Sequence, residues 1–261
     1  MTTRDDLTLA NRLADAAATA IRPFFRARYD LEVKPDKSPV TEADRAAEAA
    51  VRAILEKERP GDGIIGEEYG PTRADADRVW IIDPIDGTRS FIAGRPIFGT
   101  LIALTQDGWP TIGIIDQPIG RERWAGMAGQ PTLFNGRPVT TRACRALDQA
   151  ILASTAPQLF PGCSGEHFAR LGGQCQDTIW GGDCYNYGLV ASGHIDLVVE
   201  VGLKPHDFAA LVPVVEGAGG RMCDWAGDPL TTDSDGTIIA LGDPARLDDV
   251  LEALAEGHDG H

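Results

Sequence analysis

The sequence predicts a mixed α/β chain in which helices and sheets pack in layers, antiparallel-rich in its first half and α/β in its second. Three observations carry that reading. Residues 7–28 are Ala-rich, with Leu9, Leu13, Ala16, Ala17, Ile21 and Phe24 at helical spacing, and Ala47, Ala50, Val51, Ile54 and Leu55 trace a second apolar helical face. Short apolar runs then replace that periodicity: Gly63-Ile64-Ile65-Gly66 and Val79-Trp80-Ile81-Ile82 each end directly in acidic residues. From about residue 146 onward, strand and helix patterns alternate. A boundary near residue 145 therefore divides the chain into an α+β part, 1–145, and an α/β part, 146–261.

The elements follow in order. The polar segment Lys34-Pro35-Asp36-Lys37-Ser38-Pro39 reads as a loop. Thr41-Glu42-Ala43-Asp44 resembles a capping box with Asp44 in place of the usual Glu, and opens the second helix, which ends near Gly61. Residues 99–105 and 111–115 flank the hairpin signal Gln106-Asp107-Gly108, and Asn135-Gly136 marks another turn. In the second half, strands are expected at 150–154, 177–180, 195–199 and 237–241, with a strand pair around 224–227. Helices are expected at 165–171, 183–192 and 205–217 and after Asp243-Pro244.

Composition excludes several classes. At 261 residues, 43% hydrophobic and 24% charged, the chain is ordinary for a soluble globular protein. It has no apolar run of bilayer length and no signal-peptide layout, so a cytoplasmic protein without a membrane partner is expected. Five scattered cysteines without a C-x-x-C pair argue for free thiols rather than disulfides or structural zinc. A net charge of −15 argues against a nucleic-acid surface, and suits carboxylates committed to divalent cations, which turn a negative pocket into a phosphate acceptor.

The strongest chemical signal is Trp80-Ile81-Ile82-Asp83-Pro84-Ile85-Asp86-Gly87-Thr88. An apolar strand ends in two carboxylates three residues apart, Pro84 stiffens the turn, and Gly87 permits close backbone approach. Hard cations such as Mg²⁺ take oxygen ligands, and Asp83, Asp86 and the Ile85 carbonyl supply them. The competing reading is a turn in which both acids cap backbone groups. A second acidic strand end is Ile65-Gly66-Glu67-Glu68, and a third acid, Asp207 in Lys204-Pro205-His206-Asp207, stands at a helix start.

Together these segments resemble the inositol monophosphatase family, from the loop at Lys34 to the strand at Thr237. The pieces are Gly66-Glu67-Glu68, Asp83-Pro84-Ile85-Asp86-Gly87-Thr88 and His206-Asp207-Phe208-Ala209-Ala210, where His206 stands in a position that commonly holds Trp. The resemblance implies a layered α-β-α-β-α sandwich, a homodimer, and two or three Mg²⁺ ions per site. It implies metal ligands at Glu67, Asp83, Ile85 (carbonyl), Asp86 and Asp207. Thr88 paired with Asp44 would orient and activate the attacking water, and residues 34–38 would form a mobile flap. Independently of the resemblance, a helix starting at this point leaves the Gly87 and Thr88 amides free to hold a phosphate, and Arg89 reads either as added positive charge near that phosphate or as a solvent-facing side chain.

Substrate choice falls to the second half. Asp183, in Gly181-Gly182-Asp183-Cys184-Tyr185, reads either as a helix N-cap or as a substrate contact, and Glu200 matches a residue that borders the alcohol. The run from Trp180 to Asp207, with residues 86–91 and 122–124, resembles the histidinol-phosphatase branch of the family. The expected reaction is hydrolysis of L-histidinol phosphate, a small-molecule ester, to L-histidinol and phosphate, with Asp183 and Glu200 pairing the ammonium and imidazole. The alternatives are inositol-1-phosphate or broad small-ester hydrolysis, and a catalytically idle binding partner of RNA-associated complexes.

Overall fold

The computed structural model describes residues 2–27, 31–33 and 39–255. The loop at 34–38, His258 and His261 lie outside the described residues. Helix α1 (Arg4–Ile21) starts at a capping box in which Thr3 and Asp6 exchange hydrogen bonds. It ends well before residue 28, because Pro23 has no N–H to continue the ladder and forces a short 3₁₀ turn over Arg22–Phe24. A small hairpin, β1 (Leu31–Val33) with β2 (Pro39–Thr41), leads into α2 (Glu42–Glu58).

Eight strands form the first sheet: β3 (Gly63–Gly66), β4 (Gly70–Thr72), β5 (Arg78–Asp86), β6 (Gly99–Gln106), β7 (Trp109–Gln117), β8 (Glu122–Met127), β9 (Leu133–Phe134) and β10 (Arg137–Pro138). The short helix α3 (Thr88–Ile92) lies between β5 and β6. The spatial order is β10-β9-β8-β7-β6-β5-β3-β4, antiparallel except for the parallel pair β3/β5. The expected two-residue turn at Asp107-Gly108 joins β6 to β7, both residues at positive φ as a tight hairpin demands.

The second sheet holds β11 (Ile151–Ser154), β12 (Asp177–Trp180), β13 (Leu197–Glu200), β14 (Arg221–Cys223) and β15 (Ile238–Leu241), in the order β12-β11-β13-β15-β14. β11 runs parallel to β12 and β13, and the other two pairings are antiparallel. Its helices are α4 (Cys163–Gly172), α5 (Cys184–Ala191), α6 (Pro205–Phe208), α7 (Leu211–Gly217) and α8 (Leu247–Leu254).

Strand alternation sorts the core into three slabs. Trp80, Ile82, Ile102 and Leu104 pack with α1 and α2, while Val79, Ile81, Leu101 and Ala103 face the opposite side. There they meet α5, α7 and the inner face of the second sheet, Val198, Ile238 and Ala240. Leu197, Val199, Ile239 and Leu241 turn outward onto α4 and α8. The layers are thus α-β-α-β-α, as the resemblance implied. The continuous apolar run 79–82 arises because this strand is buried on both faces.

Two second-half expectations change. The segment 205–217 is not one helix, since Pro213 cannot donate to the carbonyl four residues back and the ladder breaks between α6 and α7. Residues 224–227 form a turn instead of a strand pair, because Asp224 Oδ1 accepts from the amides of Ala226 and Asp228.

Helix α7 lies flush on the first sheet. A β-carbon at Gly113 of β7 would collide with the Ala210 carbonyl, and one at Gly126 of β8 with the Pro213 carbonyl. Gly113→Ala is therefore expected to cost about 3 kcal/mol or more by urea unfolding, since backbone rather than a yielding side chain blocks the methyl. A loss below about 1 kcal/mol would mean that the helix can stand off the sheet. Among the described residues no helix is long and apolar enough to cross a membrane.

Candidate active site

β5 delivers two acids to one strand end through a bulge. Asp83 pairs with Leu101 and Asp86 with Gly99, so β5 holds one residue more than β6 across this interval. The Thr100 hydroxyl donates to the Pro84 carbonyl at 2.7 Å, and the Ile85 amide donates to Asp83 Oδ1 at 3.0 Å. Asp86 Oδ2 accepts from the Cys184 amide at 2.5 Å, which ties this strand end to α5. The capping alternative therefore accounts for one oxygen of each acid, Asp83 Oδ1 through the Ile85 amide and Asp86 Oδ2 through the Cys184 amide, and leaves the other oxygens to be explained.

Asp207 arrives from the second half on α6, where Pro205 takes the first helical position as expected. The Lys204 amide donates to its Oδ2 at 2.7 Å, and His206 Nε2 lies 3.5 Å from its Oδ1. Carboxylate oxygens of Asp83, Asp86 and Asp207 come within 4.8 Å of one another. Glu67 stands outside this tight triplet, just after β3, with its amide donating to the Ile82 carbonyl at 3.2 Å.

Burial and mutual repulsion push the carboxyls of this cluster away from ionisation. Burial, followed by the charges of Glu67, Asp86, Asp207 and Asp44, pushes the Asp83 carboxyl well above its usual range. Burial and then the charges of Asp183 and Asp207 do the same to Asp86. Asp207 is raised by burial, with His206 and the Lys204 amide opposing. Several like charges held away from water call for a cation among them. The grouped donors are all carboxylates, which fits a hard divalent ion such as Mg²⁺ and gives zinc none of its preferred nitrogen or sulfur.

Asp44 is buried on α2, close enough for its charge to act on Asp83. The Thr88 hydroxyl donates to the Ile85 carbonyl at 3.0 Å, so an orienting role toward Asp44 requires that hydrogen to rotate away. Arg89 is exposed, and its positive charge bears on Asp183.

Asp183 occupies the N-cap position of α5 but does not cap it. Its backbone has φ 45° and ψ −135°, following Gly181 and Gly182 at φ 93° and 117°. A side chain in that conformation is strained by roughly 1–3 kcal/mol. The Ser90 hydroxyl donates to Asp183 Oδ2 at 3.2 Å, and a β-carbon at Gly87 would lie 2.8 Å from the same oxygen. The glycine is thus required twice, for its own φ of 86° and to admit Asp183. Burial raises Asp183 to about 6, against the pull of Ser90, Arg95 and Arg89.

Glu200, at the end of β13, is buried with both oxygens engaged. Thr155 N–H donates to Oε1 and the Tyr187 hydroxyl to Oε2, each at 2.8 Å. Burial still lifts it to about 7. A cavity of about 190 Å³ joins these groups, lined among others by Asp86, Asp183, Tyr187, Glu200 and Asp207. Ser90, Arg95, Thr155 and Tyr187 escaped sequence reasoning, since no local pattern marks partners that tertiary structure alone brings together. Larger clefts of about 510 and 530 Å³ lie elsewhere, without this convergence of carboxylates.

Acids from a strand end of the first sheet and a helix start in the second half of the chain meet beside a small acidic cavity, an arrangement suited to metal-assisted hydrolysis of a phosphate ester. The chain belongs to the inositol monophosphatase family, whose sequence model matches residues 3–258. It is 46% identical over 255 residues to the bifunctional phosphatase IMPL2, chloroplastic, of Arabidopsis thaliana, covering 94% of this chain and 74% of that protein. It is 40% identical over 266 residues to the histidinol-phosphatase of Mycobacterium tuberculosis (strain ATCC 25618 / H37Rv), covering 97% and 99%. A solved inositol monophosphatase from Zymomonas mobilis superposes with a TM-score of 0.90 at 57% identity, covering 97% of this chain and 99% of that one.

Proposed function

We propose that this phosphatase hydrolyses L-histidinol phosphate to L-histidinol and inorganic phosphate, a step of histidine biosynthesis carried out in the cytoplasm. The observation that carries the reading is the pair Asp183 and Glu200, two carboxylates in the cavity that also reaches Asp86 and Asp207. A leaving alcohol with an ammonium and an imidazole complements them, whereas a neutral polyol leaves buried charge unpaired. The histidinol-phosphatase likeness over nearly the whole chain supports the same reading.

Glu67, Asp83, Asp86, Asp207 and the Ile85 carbonyl would hold Mg²⁺. When bound, Mg²⁺ lowers the pKa of water and neutralises charge on the phosphate and leaving oxygens. This chain's residues do the rest. Asp44 accepts a proton from the attacking water, oriented by Thr88 once its hydroxyl turns. The water oxygen bonds to phosphorus in line, the ester P–O bond breaks, and the departing alkoxide takes up a proton. Tyr187 and Thr155 fix Glu200, and Ser90 fixes Asp183, so both carboxylates meet the alcohol preorganised. A division at 145/146 assigns Glu67, Asp83 and Asp86 to one part, and Asp207 with the alcohol contacts to the other.

The second reading is inositol-1-phosphate hydrolysis, favoured by the 57% identity to the Zymomonas mobilis protein. Steady-state phosphate release with Mg²⁺ from the two esters, side by side, separates them. A kcat/KM preference of about a hundredfold for histidinol phosphate, worth roughly 2.7 kcal/mol, is expected. Comparable rates would transfer the assignment to a broad phosphatase.

A further inference from the structure

Glu48, on the same face of α2 as Asp44 and one turn further on, is fully buried yet lies outside every motif described above. Its carboxylate accepts from Glu68 N–H at 2.7 Å, Tyr69 N–H at 3.3 Å and Arg52 Nε at 2.7 Å. Arg52 then reaches the Gly70 carbonyl and, at 3.3 Å, the Thr72 hydroxyl. The pair thus grips the β3–β4 turn and the strand after it at four places, residues 68 and 69 in the turn and residues 70 and 72 in β4. Gly66 makes room for it, because a β-carbon there would collide with the Glu48 carboxylate. The Glu67 amide, meanwhile, is tied to the Ile82 carbonyl beside Asp83.

We propose that Glu48 is a positioning residue that sets the Glu67 carboxylate, and with it cation affinity, by holding the amides that follow Glu67. A buried ion pair is a poor way to gain stability, since apolar replacements of similar volume often do as well. It is a good way to fix a backbone, because the carboxylate offers several acceptor sites to amides that must point inward. The groups behind a metal ligand characteristically govern affinity in this manner. The same helix face carries Asp44, so α2 sets the spacing between the proton acceptor and the Glu67 turn with one rigid element.

The inference rests on the reading of Glu67 as a ligand, and the test keeps the two apart. Mg²⁺ is titrated calorimetrically into the metal-free wild type and into Glu48→Gln, Glu67→Gln and Val51→Ala, the last a core change in the same helix. Glu48→Gln is expected to weaken Mg²⁺ binding by about 10- to 100-fold, with turnover at saturating Mg²⁺ within about threefold of wild type. Val51→Ala lowers thermal stability and leaves Mg²⁺ affinity unchanged. Where the unpaired Arg52 unfolds the single variant, Glu48→Gln/Arg52→Met removes both buried charges and carries the same expectation. Wild-type Mg²⁺ affinity in the Glu48 variants, with a loss in Glu67→Gln, overturns the inference and leaves the ligand reading standing. Wild-type affinity in Glu67→Gln overturns both.

Discussion

Asp86→Asn is expected to lower turnover by about a thousandfold or more while making the metal-free protein more stable, not less. The asparagine oxygen can still accept from the Cys184 amide, so the bulge and the link to α5 survive. What disappears is one negative charge from a cluster in which burial and the neighbouring Asp183 and Asp207 already disfavour ionisation. A carboxyl raised in this way contributes stability below its unfolded pKa and loses it as pH rises. At neutral pH its removal is therefore a gain, on the order of 1 kcal/mol. Phosphate release and thermal melting with and without Mg²⁺ check both halves. Wild-type turnover would remove Asp86 from the metal site, and a lower metal-free melting temperature would refute the repulsion argument.

Glu200→Gln and Asp183→Asn are expected to reduce kcat/KM for histidinol phosphate about a hundredfold, roughly 2.7 kcal/mol, and to spare inositol-1-phosphate. Equal losses on both esters would sink the charge-pairing argument. pH offers an independent reading. Glu200 titrates near 7, raised by burial, so wild-type kcat/KM for the cationic ester should climb between pH 6 and 8.5 as the carboxylate forms. The Gln variant should lack that limb. Stability runs the other way: the contribution of a raised carboxyl is complete below pH 4.5 and is lost as pH rises through about 7. At pH 8.5 Glu200→Gln should exceed wild type by up to about 3 kcal/mol, since Thr155 keeps its acceptor and Tyr187 can accept where it now donates. Asn at 183 keeps a side chain of the same shape in the same strained backbone, so that variant tests charge rather than strain.

Much of the fold was legible because burial leaves a periodic trace. Residues 79–82 read as an apolar strand ending in acids, and Asp107-Gly108 as its neighbours' turn, from side-chain pattern alone. The layer order came from the family resemblance, since no periodicity states which sheet faces which. Misreadings arose where one residue overrides a pattern: Pro23 and Pro213 cut helices whose apolar spacing runs on, and the Asp224 side chain turns the chain where a strand was expected. The acids of the centre were legible because they stand at strand and helix ends in compact motifs. Their keepers were not. Glu48 looks like any helical surface acid, and Tyr187, Ser90 and Arg95 meet their partners only across the assembled layers.

The flush contact of α7 with Gly113 and Gly126 also governs how the centre can open. With carbonyls seated in pits that only glycine leaves, α7 cannot glide along β7 and β8 as a helix riding on side chains can. It can depart only by lifting away, and α6, joined to it by two residues, lifts with it and withdraws Asp207. On the proposed reading of Asp207 as a ligand, ion release and solvent entry between the first sheet and the middle helices are expected to coincide. Amide exchange along β7 and β8 should slow in step with cation binding, as if the ion latched a hinged cover whose pin is two glycines wide.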